Sequence, residues 1–337
     1  MATFRILHAS DFHLATTPYR AGAVTAGWIA KHKPKMLSRP WLQISHDPNA
    51  MRAFAVFAHS IEKEIDALIV TGDLATTGSR ADLNAAHAYL TDTAVGGTPF
   101  TSAGNPTLSA YALRKRLDIL PGNHDRYRSS AVLYRPGGSV FDQVLPSPYW
   151  FSGQSTKNGI AIRRGSIVLH VVKADFTLRT RDSGKAFYYL PGWLGQGRVR
   201  HSVLNSLVDR TQRVCKHIRN QGYEPFTIWA IHFDPYSTDS TLSLLNSDRL
   251  ANAAKKAQVT TVLCGHTHES KIKPLSDMTT VYACGTTCQS NSEQNDCQVL
   301  EIEAPENTHS YLHVRRHKVH VTWYRYDGQH FRILMKR

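Results

Sequence analysis

The sequence predicts an α/β protein, a four-layer α/β/β/α sandwich of two mixed β-sheets flanked by helices. Three observations carry that expectation. Five short apolar runs, Phe4–Ala9, Ala67–Thr71, Leu117–Pro121, Thr227–Ile231 and Thr260–Cys264, are rich in β-branched residues and end abruptly in polar ones. That length and composition mark buried strands. Helical periodicities lie between the runs, the alternation that builds a sheet covered by helices. From about residue 279 to 337 the chain changes to short strand-like pieces (TVYAC, CQVLEIE, HVTWYRY, FRILM), expected to complete a second sheet.

Taken in order, Asp47 and Pro48 form an N-cap and first-turn pair ahead of Met51, Phe54, Phe57, Ala58, Ile61 and Ile65 at helical spacing. His201 to Arg219 carries Leu204, Leu207, Val208, Val214 and Ile218 on one face, with Arg210, Arg213, Lys216 and Arg219 largely on the other. Ser247 and Asp248 precede Leu250, Ala253, Ala254 and Ala257, immediately before the last of the five strands. With no internal repeat or low-complexity linker, residues 1–337 read as one domain. It carries long insertions at about 15–46 and 126–196 and a strand-rich segment at about 279–337. Long connections of this kind serve as lids or substrate walls, or simply decorate the surface. The second insertion holds Tyr127, Trp150, Phe151, Tyr188, Tyr189 and Trp193, which suit either an aromatic platform or the insertion's own core.

Composition narrows the class. At 337 residues, 42% hydrophobic and 20% charged, the chain is long enough for a large core without staples. No apolar run reaches the roughly 20 residues a bilayer span needs. The opening MATFRILHASDF has no leader-like charge and apolar pattern, so the expected setting is cytoplasmic. The five cysteines include no C-x-x-C and read as reduced structural thiols. A net charge of +14 attracts anions, nucleic acid among them, but the basic residues are dispersed and equally fit a solvated surface. The oligomeric state has no sequence signature.

Ligands of open α/β sheets bind at the carboxyl ends of the strands. Each of the five runs delivers metal-type residues there: Asp11 and His13, Asp73, Asn123 with His124 and Asp125, His232, and His266 with His268. A single Asp or His after a strand is usually a cap. Five successive strand ends of one kind are not explained by capping. Mixed imidazole, carboxylate and amide donors suit first-row transition metals such as manganese, iron or zinc. Asp11, His13, Asp73, Asn123, His232, His266 and His268 exceed what one ion needs, and a shared carboxylate, for which Asp73 is the candidate, would let them hold two. Two such ions can clamp a phosphoryl group for in-line attack by a bridging hydroxide. Gly72, Gly122 and Gly265 fit the sharp turns and close backbone approach of such a centre.

The ordered series Asp11-Phe12-His13, Gly72-Asp73, Gly122-Asn123-His124-Asp125, His232 and Gly265-His266-Thr267-His268 resembles the calcineurin-like metallophosphoesterase superfamily. In the style of its ILPGNHD block it is similar to bacterial class III cyclic-nucleotide phosphodiesterases. The resemblance implies a double β-sandwich and two metal ions, one held by Asp11, His13, Asp73 and His268, the other by Asp73, Asn123, His232 and His266. It implies that His124 stabilises charge or protonates the leaving oxygen, and Asp125 would orient that imidazole or cap the next turn. The expected activity is hydrolysis of a nucleotide-type or other small phosphodiester. The alternative is a nuclease of the same superfamily, since ILHASDFHL also resembles nuclease subunits of DNA-break repair; a phosphomonoesterase or a scaffold is the remaining possibility. Class III relatives commonly read H-H-P-P at the fourth block, where this chain has His232-Phe233-Asp234-Pro235. No nucleophile elbow, Walker A loop or G-x-G-x-x-G fingerprint competes.

Overall fold

The computed structural model describes residues 2–16, 45–92, 106–114, 116–126, 128–130, 133–135, 139–145, 160–178, 195–240, 242–290, 292, 294–304 and 317–336. The first insertion expected from sequence, and the six aromatics of the second, lie almost wholly outside these residues.

The chain begins with β1 (Ala2–Ala9), then α1 (Pro48–Ser60), β2 (Ala67–Val70), α2 (Arg80–Thr91), α3 (Ser109–Leu113), β3 (Leu117–Ile119) and α4 (Asn123–Arg126). A small hairpin of β4 (Arg128–Ser130) and β5 (Leu133–Arg135) and the short α5 (Val140–Val144) follow. Next come β6 (Ala161–Arg164), β7 (Ile167–Lys173), β8 (Gly197–Arg198), α6 (His201–Asn220), β9 (Glu224–Ala230), β10 (Leu244–Leu245), α7 (Asp248–Ala257) and β11 (Thr261–Cys264). The chain finishes with β12 (Lys271–Pro274), β13 (Thr280–Ala283), β14 (Asp296–Ala304), β15 (Lys318–Tyr326) and β16 (Phe331–Lys336).

Two six-stranded mixed sheets result, ordered β16-β15-β14-β1-β2-β3 and β12-β13-β11-β9-β7-β6. Strands β1, β2 and β3 are parallel, as are β7, β9, β11 and β13; the outer strands join antiparallel. The period of two along β9 explains the layering. Phe226, Ile228 and Ala230 face the core shared with the first sheet, while Trp229 and the following Ile231 pack outward with Leu204, Leu207 and Val208 of α6 and Ala253 and Ala254 of α7. Helices α1 and α2 cover the opposite face through Met51, Phe54, Leu83 and Tyr89. The expected four-layer α/β/β/α sandwich is thus the fold. Asp47 caps α1, accepting from the backbone N–H of Asn49 at 2.8 Å and of Ala50 at 3.4 Å, a contribution of about 1 kcal/mol.

Two expectations require correction. The strand-rich tail does not form the second sheet: only β13 joins it, whereas β14, β15 and β16 extend the first, with Ile6 opposite Leu300 and Leu7 opposite Val299. Alternation identifies a strand, but pairing is a choice among distant partners. Nor is 126–196 a single irregular insertion, because it contains β6 and β7. Every residue of β7, IVLHVVK, is buried, including His170 and Lys173, whose polarity hides the strand in the sequence. Lys173 is matched across the sandwich by an ion pair to Asp118 of β3, both side chains almost completely buried. All five cysteines are buried free thiols.

Candidate metal centre

Because β1, β2 and β3 are parallel in one sheet and β9 and β11 in the other, the loops after their carboxyl ends meet at one edge of the sandwich. The backbone there is tightly interlocked. Asp11 N–H donates to Gly72 O and His13 N–H to Asp73 O, both at 3.0 Å, and Gly265 N–H to His232 O at 2.9 Å. Asp11, His13, Asp73, His266 and His268 all adopt positive φ, between 48° and 77°. For residues other than glycine such backbone costs about 1–3 kcal/mol each and persists where surrounding structure enforces it. Gly72, at φ 100°, faces the ring of His232, and a Cβ there would lie 2.5 Å from its Nδ1. A Cβ on Gly122 would strike the Asp73 carboxylate, and one on Gly265 would strike Ser10 Oγ and Asp11 Oδ2.

The side chains converge in two overlapping groups. In one, His268 Nε2 lies 3.4 Å and His13 Nε2 3.9 Å from Asp11 Oδ1, and the two imidazole nitrogens are 3.3 Å apart. In the other, His232 Nε2 lies 3.3 Å from Asp73 Oδ2, 3.0 Å from Asn123 Oδ1 and 3.2 Å from His266 Nδ1. Asp73 also groups with His13 and His124, so it stands between the two sets. Its Oδ1 accepts the backbone N–H of His124 at 2.8 Å, leaving Oδ2 turned to His232. Asp11, His13, Asp73, Asn123, His232 and His266 are buried, whereas His124 and His268 reach solvent.

These donors fit metal cations. His232 Nδ1 lies 2.7 Å from Thr71 O, a carbonyl that can only accept, so Nδ1 carries the proton and a neutral ring presents a bare lone pair at Nε2. That lone pair faces a carboxylate oxygen, an amide oxygen and a second imidazole, which repel it unless a cation lies between them. Asp11 Oδ1 is buried without a hydrogen bond. The electrostatics agree. Burial opposes charge on His232, but the carboxylates of Asp73 and Asp11 outweigh it and raise the imidazole to about 9. Burial would raise Asp11 and Asp73, yet His268 holds the first well below the usual carboxylate range, and His232 and His124 hold the second there. Burial, reinforced by the neighbouring imidazoles, lowers His266 to about 3 and His13 well below its ordinary value. A field that favours a proton on His232 equally favours a metal ion in its place.

The family model described as calcineurin-like phosphoesterase matches residues 4–270, spanning every one of these loops. The chain belongs to the calcineurin-like phosphoesterase family. Membership brings hydrolase chemistry and a dinuclear metal centre, for which the two donor groups of this phosphoesterase are the candidates. Among solved structures, a dimetal phosphatase from Danio rerio aligns over 98% of both chains with a TM-score of 0.51 and 10% identity, a likeness of fold. A purple acid phosphatase from yellow lupin seeds (TM-score 0.49, 9% identity, 98% of this chain and 53% of that one) is more distant. So is GAP50, the anchor in the inner membrane complex of Plasmodium (0.48, 10%, 100% and 88%). No curated protein matches the sequence. Among the described residues no helix is long and apolar enough to cross a membrane.

Of the two residues expected beside the metals, His124 stands at the rim of the centre, its ring edge-on to His13 with centroids 4.8 Å apart. Its Nδ1 meets Thr76 O at 2.8 Å, which commits that nitrogen to the backbone and leaves Nε2 for another partner. Asp125 does not orient that ring. Its Oδ2 accepts from Leu74 N–H at 3.1 Å and Gly122 N–H at 2.9 Å, and its Oδ1 from Ala75 N–H at 2.8 Å. The carboxylate ties the Asp73 loop to the Asn123 loop, the role of a clamp. Burial first, and the charge of Asp73 second, push it up to about 7.

Four supports escaped the sequence. Arg126, one residue beyond the motif, donates Nε to Asp175 at 3.1 Å and forks onto both oxygens of Asp142 at 2.7 and 3.0 Å, pinning α4 to the end of β7. Asp234, where class III relatives carry proline, accepts Tyr236 N–H at 2.9 Å and pairs with Lys271 at 2.6 Å, joining the His232 loop to the start of β12. Thr76 and Thr71 act through carbonyl oxygens, which leave no trace in residue type. For Arg126 and Asp234 the signal was a charged residue inside or beside an otherwise assigned motif.

Proposed function

We propose that this protein is a dinuclear metal-dependent phosphodiesterase acting on a nucleotide-type or other small phosphodiester. The observation that carries the reading is the pair of donor groups sharing Asp73, with His124 at their open rim. In this reading Asp11, His13, Asp73 and His268 hold one ion, and Asp73, Asn123, His232 and His266 the other. The imidazole, carboxylate and amide donors suit manganese, iron or zinc. Two such ions, when bound, polarise the phosphoryl oxygens and favour attack by water on phosphorus.

The chain's own residues do the rest. Asp11 and Asp73 place two buried carboxylates at the centre, and their charge would keep cations there. Thr71 O fixes the His232 tautomer so that Nε2 points inward. Thr76 O accepts from His124 Nδ1–H, and in the protonated ring Nε2–H can give its proton to the departing ester oxygen. Asp125 and Arg126 hold the loops in register. The same reading takes residues 1–337 as one domain, since the centre draws on both sheets.

Initial rates on bis(p-nitrophenyl) phosphate and p-nitrophenyl phosphate, with manganese-loaded protein and a chelated control, test it. A chelator-sensitive preference for the diester supports the proposal. Preference for the monoester makes the protein a phosphatase, and activity on neither removes the catalytic reading. A diester preference that extends to single-stranded DNA would favour the nuclease alternative.

A further inference from the structure

Helices α6 and α7 pack side by side on the outer face of the second sheet, away from the metal centre. Together they carry Arg210, Arg213, Lys216, Arg219, Arg249, Lys255 and Lys256 against Asp209 and Asp248. Arg213, Lys216, Arg219, Lys255 and Lys256 are exposed. Arg219 reaches across to Gln258 Oε1 at 2.9 Å, and Gln212 Nε2 reaches Lys256 O at 3.5 Å, so the two helices' carboxyl-terminal halves form one continuous surface.

What distinguishes this surface is that bases without counter-charge are gathered on two adjoining helices. Elsewhere Arg5 is matched with Glu64 and Glu301, Arg114 with Glu62, Arg164 with Asp66, Arg325 with Asp296 and Arg332 with Asp327, and bases outside such ion pairs, among them Lys63, Lys273 and Lys318, sit apart on separate segments. Among the described residues, none of the five exposed bases on α6 and α7 lies within ion-pair distance of a carboxylate. A favourable helix dipole accounts for Arg219, Lys255 and Lys256 in last turns, but not for Arg213 and Lys216 further back. The face also lacks apolar anchors, since the exposed large apolar residues among the described residues are Val56, Ile333, Leu334 and Met335, all on other elements. A helix face that inserts into a membrane interface needs such anchors. Unmatched bases interleaved with amides, without apolar anchors, match a phosphate backbone.

We propose that the outer face of α6 and α7 binds nucleic acid through its phosphate backbone. The proposal is independent of the diester reading. Both helices return directly to the starts of β9 and β11, so the face lies at the opposite end of those strands from the metal centre. Strand β9 alone, with seven residues, spans about 23 Å at about 3.3 Å per residue. The face therefore holds the protein on a polyanion rather than feeding the centre, and its variants leave turnover of small substrates unchanged.

The test is fluorescence anisotropy with a short labelled DNA duplex across a salt titration. The quadruple variant Arg213→Gln, Lys216→Gln, Lys255→Gln, Lys256→Gln is compared with Arg52→Gln, Lys63→Gln, Arg80→Gln, Lys318→Gln, which removes equal charge elsewhere. The first should flatten the slope of log affinity against log salt by about 0.9 for each phosphate no longer neutralised. The control should leave the slope near that of the parent. An unchanged thermal midpoint certifies each fold, and the Lys255→Gln, Lys256→Gln pair alone should produce about half the effect. Equal flattening by both quadruple variants would reduce the surface to bulk charge and overturn the proposal. No DNA binding by the parent, or binding only to phosphatidylserine vesicles, would overturn it as well.

Discussion

Replacing Asp125 by asparagine separates a loop clamp from a catalytic group. The carboxylate accepts three backbone N–H groups, two at Oδ2 and one at Oδ1. An asparagine oriented to keep Leu74 and Gly122 turns its amide N–H toward the N–H of Ala75, leaving a buried donor unmatched. That loss costs about 1–3 kcal/mol. The neutral side chain also removes repulsion against Asp73, which offsets part of the cost, so a net destabilisation of about 1–2 kcal/mol is expected. The strain is delivered to the loops carrying Asp73 and Asn123. Metal affinity should therefore fall, while kcat at saturating manganese stays within about tenfold of the parent, below the usual loss of a general acid or base. Urea unfolding, metal content by mass spectrometry and kcat against manganese concentration measure the three quantities. Full metal retention with kcat lowered by about 10² or more would refute the clamp and restore a direct catalytic role.

His232→Ala should halve the bound metal and abolish turnover, whereas His124→Ala should keep the metal and lower kcat by about 10² to 10⁴; metal analysis beside steady-state rates distinguishes them. Arg126→Met takes the guanidinium from Asp175 and Asp142 and should cost about 3 kcal/mol in urea unfolding, and a loss below about 1 kcal/mol would contradict its role as a buried tie. Burial lowers His8 to about 3, and His46 and His170 to about 4, so all three are neutral in the folded protein. The unfolded chain binds more protons below its ordinary histidine value of about 6.5, so stability is complete above that pH and lost as pH falls. At pH 5 each of the three contributes a loss of about 2 kcal/mol, which urea midpoints from pH 7 downward should register. A flat profile over that range would contradict their burial as neutral rings.

The sequence alone determined the strands that end at the centre and the residue types placed there. Both are local: a buried strand needs a short apolar run, and a metal donor needs a particular side chain just after it. For the same reason Asp47 was legible as a cap and Leu204, Leu207 and Val208 as the buried face of α6. Only the tertiary structure decided how the strands pair, because β14 could be aligned with β1 only by a contact spanning nearly the whole chain. The buried strand β7 was hidden because Lys173, polar by type, is neutralised by Asp118 from the other sheet. The division of labour between His124 and Asp125 was likewise tertiary. Adjacent in sequence, they diverge because the His124 ring meets the carbonyl of Thr76 while the Asp125 carboxylate is consumed by backbone N–H groups of two loops. Residue type specified the donors; the loops' hydrogen bonds decided where each one points.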